Sequence, residues 1–122
     1  MSLFECVLEY ERDQKGNDDD AIWNGLSRAY SVMKDAVNTG LTEEMTSRSE
    51  MINNGAKKVF NHSTTVLSKE FQKLISRALA AKEVNSCMGR IVAAPTAGAS
   101  GILPGTLYTL QEIHGLEDKK IY

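Results

Sequence analysis

Cysteine, aromatic residues and long apolar runs are all scarce in this sequence of 122 residues. The two cysteines, Cys6 and Cys87, have no short paired spacing, which argues against a disulfide scaffold and favours a reducing, cytoplasmic compartment. No run of about 18 apolar residues exists, so no membrane span is expected. One Trp, four Tyr and three Phe do not interleave with a basic stripe and the net charge is -2, so nucleic-acid binding is not expected either.

Apolar residues recur at three- and four-residue steps along most of the chain, which is the period of amphipathic helices. Acidic residues at 18–20 and Ser68 fit helix N-termini, and Gly40 and Gly115 fit helix ends. The spacing predicts a mainly α fold with helices over residues 3–12, 18–40, 56–60, 68–86 and 104–115. Residues 42–55 are polar and predict mostly loop, with a turn signal at 53–55.

The predicted domain is a single small helical one over residues 1–122, with a Gly- and Pro-rich loop between its last helices. Residues 116–122 resemble the opening of a further helix. This pattern leads us to expect a truncated part of a larger catalytic domain. Helices that normally pack on a missing part would leave apolar surface uncovered, so self-association through the region after Leu107 is also expected.

The sharpest feature is a glycine-rich segment over residues 89–105, which holds four of the nine glycines, both prolines and a single charge, Arg90. Successive backbone N–H groups in such a turn can form an anion-binding concavity, and a helix start beside it adds positive potential. Thr96 and Ser100 add hydroxyl donors. Two interpretations stay open from the residues alone, namely anion binding and tight packing of helices by small side chains.

Other reactive residues give weaker signals. Arg90 could pair with a carboxylate through two parallel hydrogen bonds, or could bind carbonyl oxygens at a helix end. A cluster site needs several convergent cysteines, so Cys6 and Cys87 fit small buried side chains better than ligands. His62 and His114 lack an acidic partner at a telling spacing and fit surface or packing positions.

Residues 86–98 (SCMGRIVAAPTAG) and 101–105 (GILPG) resemble the signature stretch of iron–sulfur L-serine dehydratase alpha chains. Looser agreement covers most of the remaining chain, over residues 32–37 (VMKDAV), 56–58 (AKK), 76–80 (SRALA) and 83–85 (EVN). The sequence departs from the common pattern at 99–100, where many members have a cysteine, and at 53–55.

The resemblance implies a helical catalytic domain, a 4Fe–4S cluster in the intact enzyme, and conversion of L-serine to pyruvate and ammonia with a beta chain or domain as partner. It places the cluster cysteines beyond residue 122, so no cofactor is expected in this chain and the chain alone is expected to be inactive. The expected substrate-binding residues are Arg90, Thr96, Ala97, Gly98, Ala99, Ser100 and Gly101. The alternative function is a stand-alone helical module for anion binding or protein interaction.

Overall fold

Five α-helices make up most of the chain in a computed structural model, which describes residues 2–63 and 66–122. They are α1 (Leu3–Asp13), α2 (Asp19–Thr42), α3 (Gly55–Asn61), α4 (Lys69–Ser86) and α5 (Ile102–His114), followed by a 3₁₀ turn over Asp118–Lys120. Within the described ranges there is no strand, and an isolated bridge joins Thr46 to Asn53. The predicted mainly α fold class is confirmed.

Polar side chains cap three helices, two of them at starts that the sequence predicts. Asp18 accepts a hydrogen bond from the Ala21 N–H at 2.6 Å, and Ser68 accepts one from the Phe71 N–H at 3.2 Å. Ser2 forms a reciprocal capping box with Glu5. Each cap satisfies an N–H group that has no partner inside its helix, which explains why these helices begin where they do.

Gly40 was predicted to end α2, and this prediction is wrong. The helix runs on to Thr42, and Gly40 is buried against α4. A Cβ at position 40 would collide with the Ala80 backbone, whose Cα and carbonyl carbon would lie 2.7 Å away. The glycine therefore serves close approach of two helices, a role that local sequence does not distinguish from helix termination.

The last helix was predicted to begin at Pro104, but it begins at Ile102. Pro104 is instead the third residue of α5, where the missing proline N–H costs no helical hydrogen bond. Gly115 closes α5 in the left-handed conformation, with φ of 59°.

Residues 116–122 do not form the predicted start of a further α-helix but a 3₁₀ turn. Asp118 accepts hydrogen bonds from Lys34 and Gln111, and Tyr122 lies against the rings of Trp23 and Tyr30. These contacts hold the segment against α2 and α5.

The centre of the domain lies where α4 packs against α2, α3 and α5. Buried apolar side chains from α2, α4 and the segment after α2 form one cluster there, consisting of Ala36, Val37, Met45, Ala81 and Val84. Helix α1 contributes no buried residue. Among the helices of the described residues, none has the length and hydrophobicity needed to cross a membrane.

A buried arginine joins α4 to α5. The Arg77 guanidinium donates to Thr109 Oγ1 at 3.1 Å and to Glu112, and it stacks on the Tyr108 ring at 4.3 Å from the centroid. Lys73 also donates to Glu112. Hydrogen bonds from Lys73 and then from Arg77 lower the pKa of the Glu112 carboxyl. The charged cluster thus fixes α5 along α4, and with it the chain that enters α5.

The polar segment between α2 and α3 is folded by side-chain bonds to its own backbone. Asn54, with φ of 53°, accepts from the Met45 N–H at 2.8 Å and donates to Glu44 at 2.6 Å. Behind it, the buried Glu83 carboxylate of α4 accepts from the Ala56 N–H at 3.2 Å. The segment therefore packs α3 onto α4.

Candidate functional site

The residues predicted to bind an anion lie in the connection between α4 and α5. Its middle, residues 96–100, forms a tight turn that we call the loop. The Ala99 N–H donates to both the carbonyl oxygen and Oγ1 of Thr96, at 3.1 and 3.2 Å. Since Thr96 Oγ1 acts here as an acceptor, its hydroxyl hydrogen stays available for a ligand.

The carbonyl oxygen of Ala97 is the most strongly bound backbone group of the loop. It accepts from Ser100 Oγ at 2.7 Å, from Asn85 Nδ2 at 3.1 Å and from the Ser100 N–H at 3.4 Å. The next carbonyl oxygen, that of Gly98, accepts from Lys82 Nζ at 3.3 Å. Two side chains of α4 therefore hold two consecutive peptide groups of the loop.

The glycine inside the loop and the two glycines that follow it have opposite surroundings. A Cβ on Gly98 would meet only Thr96 Oγ1, at an ordinary 3.6 Å, so this face of the loop is open. A Cβ on Gly101 would collide with the backbone of Ala78, and one on Gly105 would lie 2.8 Å from the Ala78 nitrogen. Gly101 and Gly105 thus allow α5 to dock on α4, whereas packing within the described residues does not require glycine at position 98.

An apolar groove of about 320 Å³ runs from the loop along α4. It is lined by Leu74, Ile75, Ala78, Leu79, Lys82, Gly98, Gly101 and Ile102. The low polarity of such walls strengthens hydrogen bonds made at the end of the groove, because competing water is reduced there. The open face of Gly98 lies at this groove.

The structure brings residues 96–101 together in one turn, whereas Arg90 makes no hydrogen bond to them. Arg90 is exposed, and within the described part of the chain it makes no hydrogen bond or ion pair. Ser100 is buried at 1% exposure, and its hydroxyl donates inward to Ala97. In this conformation Ser100 therefore shapes the loop and does not offer its hydrogen to an outside anion.

The residues of α4 that bind the loop, Lys82 and Asn85, were not among those that sequence reasoning predicted. They stand three positions apart near the C-terminal end of α4, a spacing that places both on the same side of a helix. That shared side and their position just before the glycine-rich segment were the available signals. Nothing in the pattern alone shows that the chain after α4 turns back to meet them.

The cysteines do not match the ligand set of an iron–sulfur cluster. Cys6 is exposed on α1, and Cys87 is half-buried beside the apolar core at the end of α4. No group of three or more metal-ligating side chains occurs in the part of the chain that the structure describes. The described residues alone therefore do not fit a cluster, which needs about three or four thiolates.

A family model described as "Serine dehydratase alpha chain" matches residues 1–122. Relatives include the L-serine dehydratase alpha chain of Peptoniphilus asaccharolyticus, 30% identical over 120 residues, and the probable L-serine dehydratase alpha chain of Bacillus subtilis (strain 168), 35% identical over 107. The L-serine dehydratase of Streptomyces coelicolor is 33% identical over 114 residues.

These alignments cover 96%, 85% and 88% of this chain, but only 41%, 35% and 24% of the respective relatives. The chain thus spans less than half the length of each. No solved structure gives a significant match.

Proposed function

Because the chain belongs to the serine dehydratase alpha chain family, we propose that it forms part of an enzyme that deaminates L-serine to pyruvate and ammonia. The observation that carries the proposal is the match over the whole chain, supported by relatives named L-serine dehydratase. Residues 1–122 would be one helical part of a larger catalytic domain, since the relatives are more than twice as long.

We assign to the loop the binding of the serine carboxylate. Thr96 offers a hydroxyl hydrogen, and Gly98 offers an open backbone face at the mouth of an apolar groove. Arg90, Ala97, Ala99, Ser100 and Gly101 complete the proposed binding segment, with Ser100 and Gly101 shaping it from the buried side. Hydrogen bonds to a carboxylate are strong in such surroundings because they are charge-assisted.

The proposed cofactor is a 4Fe–4S cluster, as the resemblance of the signature stretch implies. Its thiolate ligands would come from outside these residues, since Cys6 and Cys87 do not form a cluster site here. We further propose a beta chain as partner, because two relatives carry the name alpha chain. Exposed apolar side chains of α5 in the region after Leu107, those of Leu110 and Ile113, support self-association or contact with another chain. The two free cysteines support a reducing, cytoplasmic setting.

Thr96→Ala in the complete enzyme tests the loop. Losing one hydrogen bond to a charged group costs about 1.5–3 kcal/mol, so the KM for L-serine should rise at least roughly ten-fold. Pyruvate formation at varied L-serine gives KM and kcat separately. Thr96→Ser retains the hydroxyl and serves as the matched control, with KM near that of the wild type.

An unchanged KM in Thr96→Ala would remove the loop from the substrate site. Complete absence of pyruvate from the wild-type enzyme, with L-serine still protecting the loop from hydrogen exchange, would instead favour the alternative of an anion-binding module without catalysis. Those two results separate the site assignment from the assignment of the reaction.

A further inference from the structure

Asn85 and Lys82 donate hydrogen bonds to two successive carbonyl oxygens of the loop, those of Ala97 and Gly98. These bonds also set the direction of the N–H groups that belong to the same two peptide groups. In a trans peptide the C=O and the following N–H point in opposite directions. The Ala97 carbonyl oxygen accepts a hydrogen bond from Asn85 of α4 and another from Ser100 within the loop, so it faces α4. The N–H of Gly98 belongs to the same peptide group and therefore faces away from α4.

The neighbouring peptide group is fixed in the same way. Lys82 donates to the Gly98 carbonyl oxygen, and the opposite end of that group, the Ala99 N–H, donates back to Thr96. Both ends of the second group thus have partners, one on α4 and one within the loop. The Gly98 N–H remains as the outward donor, beside the hydroxyl of Thr96 and with no side chain of its own in the way.

We propose that Asn85 and Lys82 are positioning residues, which orient the Gly98 N–H toward a small carboxylate bound at the loop. This inference rests on the proposed function, because it takes the serine carboxylate as the ligand. It adds two residues outside the signature loop that set substrate affinity without touching the reacting atoms. A preorganised donor spares the bound state the cost of ordering the loop, and this lowers KM more than it changes kcat.

The test uses Asn85→Ala in the complete enzyme, with Asn24→Ala as the matched control on the exposed side of α2. Two measurements are made, namely KM and kcat for pyruvate formation, and deuterium exchange of peptides that cover residues 94–101 with and without L-serine. We expect Asn85→Ala to raise KM by about ten-fold with kcat within about two-fold, as expected for one lost hydrogen bond. Exchange in the loop should speed up, while peptides of α5 should keep their wild-type rates.

Lys82 is exposed, so a second pair of variants does not threaten folding. Lys82→Met removes the donor and should also raise KM and loop exchange. Lys82→Arg keeps a donor and the charge and should restore both toward wild type. A purely structural role in the helix would not produce this split between KM and kcat or the rescue by arginine.

The outcomes of these experiments distinguish the positioning role of Asn85 and Lys82 from the proposed binding of L-serine at the loop. If L-serine slows exchange in the wild-type loop but Asn85→Ala and Lys82→Met match wild type in KM and exchange, the positioning role is wrong and the proposed function stands. If L-serine leaves the wild-type loop unprotected and Thr96→Ala does not change KM, the substrate site lies elsewhere and the positioning role falls with it.

Discussion

The two halves of the glycine-rich segment use the same residue type for different purposes. In the half that enters α5, Gly101 and Gly105 lie buried against Ala78, and a methyl group at either would push the helices apart. In the loop half, Gly98 is exposed, and a methyl group there would make only an ordinary contact. One half is therefore fixed by close packing of the backbone, whereas the other is held by hydrogen bonds and leaves one face open.

This difference separates the two interpretations that the sequence left open. Tight packing explains Gly101 and Gly105, because α5 approaches α4 more closely than a side chain would permit. It does not explain Gly98, for which the described residues supply no steric reason. Close approach of a ligand to the backbone is a reason for glycine that needs no neighbouring protein atom, and it fits the outward Gly98 N–H.

The largest effect is expected from Gly101→Ala. The added Cβ would collide with the backbone of Ala78, which cannot rotate away, so the free energy of unfolding should fall by about 3 kcal/mol or more. Urea unfolding of the chain, followed by circular dichroism, measures the loss.

Gly25→Ala provides the matched control for that change. Its Cβ would meet nothing within 4 Å on the exposed side of α2, so the same substitution should stabilise the chain by about 0.5–1 kcal/mol. Equal effects at positions 25 and 101 would contradict the close packing of α5 on α4.

A smaller effect is expected from Glu112→Gln, which tests the charged cluster that holds α5 on α4. The folded-state pKa of Glu112 is lowered by hydrogen bonds from Lys73 and then Arg77. The ionised carboxylate therefore contributes fully to the free energy of unfolding above pH 4.5, the ordinary pKa. This contribution is lost as the pH falls through the folded-state pKa. Because the Glu112 side chain is 41% exposed, screening by water limits the loss at pH 7 to roughly 1 kcal/mol.

Unfolding of the wild type and of Glu112→Gln should be compared between pH 7 and pH 3. The difference in the free energy of unfolding between the two proteins should narrow as the pH falls below 4.5, because the wild-type carboxyl then gains its proton. Glu117→Gln changes an exposed carboxyl after α5 and serves as the control. A gap of constant size across this range would show that the ion pairs do not stabilise the domain.

The smallest effect on stability is expected from Gly98→Ala, within about 0.5 kcal/mol, because the site is open. In the complete enzyme the same change should raise the KM for L-serine, since the methyl group stands on the face that the ligand approaches. Thermal melting and pyruvate formation measure the two effects separately. A loss of stability as large as that of Gly101→Ala, with KM unchanged, would erase the contrast between the two halves.

The sequence was most informative where local chemistry decides the backbone. Asp18 and Ser68 predicted helix starts because a polar side chain satisfies free N–H groups wherever it precedes a helix. Gly115 predicted a helix end for the equally local reason of its left-handed conformation. Gly40 gave the same signal as Gly115 but lies inside α2, because its neighbour Ala80 comes from a helix that is distant in sequence.

For the candidate site, the sequence also predicted some of the residues and not others. Sequence reasoning picked out Thr96, Gly98 and the exposed Arg90, but not Lys82 and Asn85, which donate hydrogen bonds to the loop. Helical periodicity shows which side of α4 carries Lys82 and Asn85. It does not show the direction in which the chain leaves the helix, and that direction decides which carbonyl oxygens those side chains reach.

The sequence by itself determined the helices, most of their ends and the family, because these depend on the order of neighbouring residues. Only the tertiary structure decided which glycines serve packing and which one leaves the loop open. The physical reason is that a glycine has no side chain to carry information about its surroundings. Whether the vacant Cβ position is filled by Ala78 or faces outward depends on contacts between segments that the fold alone brings together.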